Sequence, residues 1–313
     1  MIVTVTPNPS IDRTVQVDKL ERGATLRCTD DHVDPGGKGL NLTRALSQNG
    51  VPSVAIFPAG GPEGSHLISL IRHAGVEVEP VAIGAAVRTN ITVAEPDGTV
   101  TKLNVPGPEL EAAEVDELLT AAVDAATRAT WLVGCGSLPP GVPTTFYAEL
   151  IERSAGANCQ VAIDGSGPAF DAALEKGPAL VKPNREELAQ ATRRDIATLG
   201  DVVEAAEELR DRGVGRVLVS LGADGAVLVD RGGAIHGETA PIVVRSAIGA
   251  GDAMLAGFLA GSGEGPKGLT EALAWGAAAA SRPGSRMPTP SELDHDAVRV
   301  HDGLELERTL GRD

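Results

Sequence analysis

The segment at residues 246–254, SAIGAGDAM, has the residue types best suited to chemistry. Gly249 and Gly251 tolerate positive φ and leave the backbone bare, so the N–H groups of Gly249, Ala250 and Gly251 can converge on an anion at a helix start. Asp252 would lie beside that anion. A carboxylate next to an anion hole suits phosphoryl transfer, in which it takes the hydroxyl proton of the acceptor. We expect the helix dipole to keep the pKa of Asp252 low. The alternative is an ordinary helix start stabilised by an aspartate.

A second glycine-rich segment, PGGKGLN at residues 35–41, also precedes a predicted helix. It is not a P-loop, because no glycine stands at the required spacing before Gly37 and Lys38, and Gly39 replaces the usual Ser or Thr. Close backbone approach, with Asn41 one turn into the helix, suits a polyhydroxylated ligand, and Lys38 would meet a phosphate. A plain glycine-rich helix cap is the alternative.

The third segment, KPNREE at residues 182–187, carries an amide and a carboxylate three residues apart. This spacing puts Asn184 and Glu187 on one face of a helix. Their oxygens could hold a hydrated Mg²⁺, an ion that keeps most of its waters in proteins. The alternative is a capping box, with Asn184 as the N-cap and Glu187 completing it.

Two loops that follow predicted strands offer further hydrogen-bonding groups. The sequence SLGADGA at residues 220–226 contains two glycines, which suit a nucleotide phosphate or ribose, although an ordinary hairpin fits as well. The sequence GSLPPG at residues 136–141 is stiffened by its prolines. Ser137 there either binds a sugar or caps the turn.

These segments are separated by short β-branched runs that alternate with Ala/Leu/Glu-rich stretches. Such alternation predicts an α/β fold with a mostly parallel sheet covered by helices on both faces. Ligands of such sheets bind beyond the carboxyl ends of the strands. The predicted strands are Ile2–Thr6, Ser53–Phe57, Trp131–Gly134, Gln160–Asp164, Ala179–Val181 and Arg216–Leu221. The predicted helices are Leu40–Gln48, Glu111–Thr127, Thr145–Arg153, Asp201–Arg212, Gly251–Gly261 and Thr270–Ala280.

Two segments break this alternation. Residues 14–34 and 88–105 alternate at period two, and Pro96-Asp97-Gly98 predicts a hairpin in the second. Because neither segment leads directly into a helix, we expect a small antiparallel sheet that stands apart as a lid. The alternative is two extra strands on an edge of the main sheet. We see no linker or internal repeat, so residues 1–313 are predicted to form a single domain with the lid strands inserted.

Composition restricts the partners. The chain has 43 acidic and 27 basic residues, a formal net charge of −16. This argues against a nucleic-acid or membrane partner, since either needs a basic face. A small anionic substrate is still compatible with this charge, because a few local cations outweigh distant charges.

The chain has three widely spaced cysteines, Cys28, Cys135 and Cys159. Their odd number and spacing disfavour a disulfide framework and a structural zinc. The charged, proline-containing N-terminus and the lack of a long apolar run predict a cytoplasmic location.

Taken together, six segments resemble, in order and spacing, the PfkB family of ribokinase-like sugar kinases. They are TPNPSID at 6–12, PGGKGLN at 35–41, GSLPPG at 136–141, KPNREE at 182–187, SLGADGA at 220–226 and AIGAGDAM at 247–254. The resemblance implies a three-layer α/β/α sandwich with a mostly parallel sheet and a small β-sheet lid. It also implies ATP as co-substrate with Mg²⁺, and it leaves a monovalent cation as a further candidate cofactor. The lid of this family often forms a dimer interface, so a homodimer is expected.

The same resemblance implies roles for individual residues. Asp252 would be the base, and Gly249, Ala250 and Gly251 would form the anion hole. Arg88, on the lid, would pair with the phosphate already present on the substrate, for which a guanidinium fork is well suited. The expected sugar-binding residues are Asp12, Gly36, Gly37, Lys38, Asn41, Ser137 and Arg27. The expected ATP-binding residues are Lys182, Asn184, Ser220, Gly222, Gly225 and Ser281, and the expected metal ligands are Glu187 and Asn184, with Asp164 acting through water.

The substrate is expected to be a ketohexose monophosphate. The GGKG form of the first signature favours fructose 1-phosphate, phosphorylated on O6. Residues 26–28 and 56–61 look more like relatives that act at O1 of fructose 6-phosphate or tagatose 6-phosphate, which is the alternative. Thr25 stands where some relatives carry a phosphate-bridging lysine, so Lys38 or Arg27 would have to supply that contact. Ala247 stands where the second signature usually has threonine, so a hydroxyl contact is lost there.

Overall fold

The computed structural model describes residues 1–301 and 303–311. Within them the strands are β1 (Ile2–Val5), β2 (Ser10–Gln16), β3 (Asp30–Gly36), β4 (Ser53–Ala59), β5 (Glu77–Ala82), β6 (Arg88–Ala94), β7 (Val100–Leu103), β8 (Trp131–Cys135), β9 (Gln160–Asp164), β10 (Leu180–Val181), β11 (Val217–Ser220), β12 (Ala226–Asp230), β13 (Gly233–Thr239) and β14 (Val298–Val300). The helices are α1 (Lys38–Gln48), α2 (Gly61–His73), α3 (Ala112–Ala126), α4 (Phe146–Arg153), α5 (Gly167–Leu174), α6 (Arg185–Thr192), α7 (Leu199–Asp211), α8 (Ala250–Ala260) and α9 (Gly265–Ala280).

Ten of these strands form one sheet in the order β14-β13-β12-β11-β10-β9-β8-β1-β4-β5. From β5 to β11 neighbouring strands run parallel, and β12, β13 and β14 extend that edge antiparallel. The parallel part places the carboxyl ends of β1, β8, β9, β10 and β11 along one edge of the sheet. The loops that leave this edge carry most of the candidate residues, as the binding rule for such sheets requires.

Alternate residues of each buried strand feed two cores, one on each side of the sheet. In β8, Leu132 packs into the core formed with α3 to α7, whereas Trp131 and Val133 pack into the core formed with α8 and α9. Period-two side-chain direction in a strand buried on both faces produces this division. The result is three layers, helices on sheet on helices, which confirms the predicted α/β/α sandwich.

The remaining strands form a separate four-stranded sheet in the order β3-β2-β6-β7. β2 pairs antiparallel with β3 and parallel with β6, and β6 and β7 form the hairpin around Pro96-Asp97-Gly98. The separate sheet is confirmed, but it is mixed and not purely antiparallel as predicted, because a long crossover joins its two hairpins. The alternative of extra strands on the main sheet is therefore wrong. Residues 17–29, inside the segment predicted at 14–34, contain no strand. Most of their side chains are exposed, so this stretch has no apolar face to bury against the rest of the protein.

The predicted strands and helices named above all occur, with ends that differ by a few residues. Five elements were not predicted: the helices α2 and α5 and the strands β5, β13 and β14. Across the described residues, no helix is long and apolar enough to cross a membrane.

Candidate active site

The candidate base lies at the start of α8, buried between the helix and the sheet. The helix begins after Gly249, whose φ of 77° is in the left-handed region that favours glycine. Asp252 is 8% exposed, and one of its carboxylate oxygens, Oδ2, accepts a hydrogen bond from Asn41 Nδ2 at 2.9 Å. The first amides of a helix have no acceptor within it, so the N-terminus of α8 offers free N–H groups and a positive dipole beside this carboxylate.

The expectation of a low pKa for Asp252 is wrong. Burial, and next to it the negative charge of Asp164, raise the pKa of Asp252 to about 6, although the hydrogen bond from Asn41 and the charges of Lys38 and Lys182 act in the opposite direction. A helix dipole contributes roughly 0.3–1 kcal/mol, which is too little to offset the burial of a carboxylate. A carboxylate with a pKa near 6 is a better proton acceptor at neutral pH than an ordinary one.

Two lysines share a second buried carboxylate, at the end of β9. Asp164 accepts from Lys38 Nζ at 2.8 Å through Oδ1, and Lys182 Nζ lies 3.3 Å from Oδ2. Burial opposes ionisation of Asp164, but the two ammonium groups outweigh it and hold its pKa below the ordinary value. A Cβ built on Gly251 would lie 3.4 Å from Lys182 Nζ, so this lysine reaches the start of α8. Lys38, expected at the sugar phosphate, lies instead with these acidic groups.

Asn184 and Glu187 form the capping box that was the structural alternative for their segment. Asn184 Oδ1 accepts from the Glu187 amide at 2.8 Å, and Glu187 Oε2 accepts from the Asn184 amide at 2.9 Å. The second oxygen of Glu187, Oε1, lies 3.6 Å from Lys38 Nζ. This oxygen and Asp164 are oxygen donors of the kind that a hydrated magnesium ion takes. Among the described residues no group of three or more His, Cys, Asp or Glu side chains is arranged to hold a metal by itself.

Asp12 marks the side of the site next to the small sheet. Its Oδ1 accepts from Ser10 Oγ at 2.7 Å and from Asn90 Nδ2 at 2.9 Å. The backbone of Gly36 passes so close that an added Cβ would lie 2.3 Å from Asp12 Oδ2, so only glycine fits there. Asn90 was not predicted as a site residue. It stands two residues after Arg88, and because side chains of a strand alternate between its faces, this spacing could have placed both on one face.

Arg88 begins β6 and is held by backbone carbonyls. Its Nη1 donates to Val105 O at 2.7 Å and its Nη2 donates to Asn8 O at 3.0 Å, while its Nε is buried and has no partner. A buried guanidinium N–H without an acceptor is costly unless a ligand supplies one. Asn8 also donates to Ser137 Oγ at 3.3 Å, so this unpredicted residue joins Arg88 to the loop at 136–141.

Two expected residues stand apart from these groups. Arg27 is exposed in the connection at residues 17–29. Ser281 follows α9, and its hydroxyl donates to Ala277 O at 2.9 Å, a contact that stabilises the helix end. Ser281 does not line the cavity described next, whereas its neighbour Ala280 does.

A cavity of about 690 Å³ opens beside the start of α8. Three of the expected ATP-binding residues, Ser220, Gly222 and Gly225, form one wall. The opposite wall is apolar and comes from α8, α9 and the loop before α8, with Met254, Leu273, Gly276, Ile242 and Val244 among its residues. An apolar slot with a few polar groups suits a flat heteroaromatic ligand. A larger hollow of about 920 Å³ lies at the other end of β9 and β11 and contains none of the candidate residues.

A helix N-terminus, a cavity and two lysines that share a buried carboxylate, all at one edge of the sheet, are the arrangement expected of an α/β enzyme that transfers a phosphoryl group. Comparison with known proteins gives the class more closely. The model of the pfkB family of carbohydrate kinases matches residues 5–283, so the chain belongs to that family. It is an ATP-dependent sugar-phosphate kinase with the ribokinase-like fold.

Individual relatives support this class. A 1-phosphofructokinase of Haloferax volcanii is 40% identical over 293 residues, covering 92% of this chain and 93% of that protein. The ATP-dependent 6-phosphofructokinase isozyme 2 of Escherichia coli is 37% identical over 257 residues, covering 81% and 83%. The crystal structure of phosphofructokinase-2 from Escherichia coli in complex with potassium superposes with a TM-score of 0.88 at 33% identity, over 93% of this chain and 96% of that one.

Proposed function

We propose that this kinase transfers the γ-phosphoryl group of ATP to O6 of fructose 1-phosphate and releases fructose 1,6-bisphosphate. The observation that carries the chemistry is Asp252, a buried carboxylate of raised pKa at the N-terminus of α8, next to a lysine pair and the cavity. The 40% identity to a 1-phosphofructokinase and the GGKG sequence support the substrate. A second candidate is the same reaction at O1 of fructose 6-phosphate or tagatose 6-phosphate. The likeness to a 6-phosphofructokinase isozyme 2 favours it.

In the proposed reaction Asp252 accepts the proton of the acceptor hydroxyl as its oxygen bonds to the γ-phosphorus. The bond from that phosphorus to the β,γ-bridging oxygen breaks, and ADP leaves with that electron pair. Asn41 donates to Asp252 Oδ2 and thereby fixes the carboxylate, which leaves Oδ1 for the incoming hydroxyl. General-base help of this kind contributes roughly 10²–10⁴-fold to a rate.

Hydrogen-bond donors at fixed positions would stabilise the negative charge on the phosphoryl group during transfer. The amides of Gly249, Ala250 and Gly251 at the start of α8 form the proposed anion hole. Lys38, which is half-buried, and Lys182, which is buried, both pair with Asp164 beside it and bring two positive charges to the site. Charges of this kind act more strongly at partly buried positions than in bulk water, because the effective dielectric constant is lower there.

Mg²⁺ enters as part of the Mg-ATP substrate and neutralises phosphate charge when bound. Glu187 Oε1 and Asp164 are the groups that would hold its waters, whereas the capping box occupies Asn184 Oδ1. Ser220, Gly222 and Gly225 would line the nucleotide.

We also propose that the enzyme requires a monovalent cation, which the relative solved with potassium supports. We further propose that it acts in the cytoplasm, where ATP is supplied.

The phosphate already on the sugar would bind at Arg88. Its Nε has no partner, and its Nη2 donates to the carbonyl oxygen of Asn8, whose side chain contacts Ser137. Asp12, with Gly37 and Asn41, would hold the sugar hydroxyls. Because Arg27 lies exposed in the connection at 17–29, its contribution would require that connection to move onto the sugar.

We further propose that the small sheet pairs with a second copy of this chain. Its exposed side chains include Ile91, Val100, Leu103 and Val105, at 38–55% exposure. Ile91 and Leu103 are cross-strand partners and therefore lie on the same face of the sheet. An apolar face of this kind on a metabolic enzyme is typical of an interface.

The test is ADP release by the purified protein with Mg-ATP, comparing kcat/KM for fructose 1-phosphate, fructose 6-phosphate and tagatose 6-phosphate. A clear preference for fructose 1-phosphate supports the proposal. A preference for either 6-phosphate selects the second candidate. No turnover of any of the three, with Mg-ATP still bound, would reject both acceptor assignments while leaving the kinase class intact.

A further inference from the structure

The last described residues of the chain, 306–311, dock along the start of α7. The amide of Leu199 donates to Arg308 O at 3.0 Å, and the amide of Gly200 donates to Leu306 O at 2.9 Å. The amide of Leu310 in turn donates to Ala197 O at 2.9 Å, and Leu310 is 7% exposed. The segment lies beyond residue 283, where the family match ends. Three backbone hydrogen bonds attach it to residues 197–200.

From this position Arg308 reaches two acidic residues on the side of the cavity formed by the turn after β11 and by β13. Its Nη1 donates to Glu238 Oε2 at 2.9 Å and its Nη2 approaches Asp224 Oδ1 at 3.4 Å. Glu238 lines the cavity from β13. Asp224 ends the turn that begins at Gly222 and leads to Gly225, and both glycines line the cavity beside Glu238. One guanidinium thus joins the turn to the side chain of Glu238.

The same segment also reaches the helix that carries Asn184 and Glu187. Arg185 Nη1 donates to Gly311 O at 2.7 Å, and the Gly311 amide donates to Asp224 Oδ2 at 2.7 Å. The segment therefore contacts three elements on one side of the candidate nucleotide site: α6, the turn after β11, and β13.

Two stacked histidines hold the same acidic residues from the other side. The rings of His236 and His301 have centroids 5.1 Å apart and are almost parallel. His236 Nε2 lies 2.8 Å from Asp224 O, and His301 Nε2 lies 3.1 Å from Glu238 Oε1. Arg308 is the partner of Glu238 Oε2, whereas His301 contacts only Oε1, so a change at Arg308 would free one oxygen of a carboxylate that lines the cavity.

We propose that residues 306–311 act as a clamp on the nucleotide site, with Arg308 as the residue that positions Glu238 and the turn at 222–225 for ATP. The clamp has a geometric part, which holds the side chain of Glu238 and the turn at 222–225 against the docked segment. It also has an electrostatic part, because Arg308 compensates two carboxylates that would otherwise repel a polyanionic nucleotide. The inference rests on the proposed function only in taking the cavity as the ATP site.

The test compares the KM for Mg-ATP of Arg308→Gln with that of the wild-type protein and of Arg194→Gln. Arg194 is a matched control, because it also pairs with two carboxylates. Its partners are Glu204 at 2.9 Å and Glu208 at 3.0 Å, both on α7 and away from the cavity. For Arg308→Gln we expect the KM for Mg-ATP to rise about three- to tenfold, with kcat within about twofold and the KM for the sugar phosphate unchanged. Arg194→Gln should leave all three constants unchanged.

Arg308→Lys keeps the charge but not the planar fork, so an intermediate KM is expected, and this variant serves if Arg308→Gln does not fold. Equal KM values for Mg-ATP in the wild-type and both Arg308 variants would overturn the clamp, as would an equal rise in Arg194→Gln. Titration of wild-type protein with Mg-ADP tests nucleotide binding, which belongs to the proposed function, separately from the role of Arg308. If the wild-type protein binds no nucleotide, the proposed function is overturned and the clamp with it.

Discussion

The phosphoryl-transfer end of the site and the small sheet are built in different ways. At the first, Asp252, Asp164 and Lys182 are 8%, 1% and 4% exposed, and every one of them is paired within the protein. On the small sheet, Val100 and Leu103 are more than half exposed, and Arg88 has a buried Nε with no partner. The first region is organised before substrate arrives, as electrostatic catalysis requires. The second is completed by a substrate phosphate and, on our proposal, by a second copy of the chain.

The largest effect is expected from Asp252→Asn. If Asp252 is the base, kcat should fall roughly 10²–10⁴-fold, while binding of Mg-ADP is retained because the amide keeps the size of the carboxylate. Steady-state kinetics and calorimetry measure the two quantities. Asp171→Asn, a change at an exposed residue of α5, is the control and should be neutral. Turnover of Asp252→Asn close to that of the control would remove Asp252 from the mechanism.

Arg88→Gln should produce the next largest effect, and it tests the other region. Loss of a charge-assisted contact to a phosphate is worth about 1.5–3 kcal/mol, so we expect kcat/KM for the sugar phosphate to fall roughly 10–100-fold. The KM for Mg-ATP should not change. Arg13→Gln on the adjoining strand β2, where Arg13 forms an exposed ion pair with Asp31, is the control. A loss that falls equally on unphosphorylated fructose would show that Arg88 has only a structural role.

The same Asp252→Asn change should stabilise the fold. The native pKa of Asp252 is raised from 3.8 to about 6, so the native state binds this proton more tightly and stability falls as the pH rises between those values. Removing the charge should raise the free energy of unfolding at pH 8 by roughly 2–3 kcal/mol, and the gain should shrink toward zero near pH 4. Urea denaturation at both pH values measures it. A variant that is less stable than the wild-type protein at pH 8 would mean that burying the charge of Asp252 does not destabilise the native state.

The smallest effect is expected on the small sheet. Leu103→Asp puts a charge on the proposed interface, so the protein should elute as a smaller species, with a KM for the sugar phosphate a few-fold higher and an unchanged KM for Mg-ATP. Light scattering coupled to chromatography measures the assembly. Val243→Asp, at a residue that is 79% exposed in the loop before α8, is a control that should leave the mass unchanged. An unchanged mass for Leu103→Asp would place the interface elsewhere.

Much of the scaffold was predictable, because buried strands such as β8 and helices such as α8 and α9 have strong local patterns. The helix α2 was not, since it opens with Gly61, Pro62, Glu63 and Gly64, which weaken the helical pattern. β5 was missed because only Val81 is buried in it and Pro80 interrupts the run. In both cases tertiary contacts decide the structure, and a local pattern cannot show them.

The site shows the same division. Ser220, Gly222 and Gly225 line the cavity beside the start of α8, and Asn41 contacts Asp252. Their segments could be found in the sequence because each has a local glycine or helix-start signal. The raised pKa of Asp252 was not predictable, because it depends on burial and on Asp164, a residue distant in the chain. Asn8 was missed for a similar reason, since its partners Ser137 and Pro106 come from other parts of the sequence.

The central claim is that Asp252 is a buried base whose protonation limits the reaction. The most direct test is the pH dependence of kcat/KM for the preferred sugar phosphate at saturating Mg-ATP, in the wild-type protein and in Asp252→Asn. We expect the wild-type profile to fall on its acid side with an apparent pKa near 6. In Asp252→Asn this acid limb should be absent from the residual activity. An acid limb of the same pKa in both proteins would contradict the account.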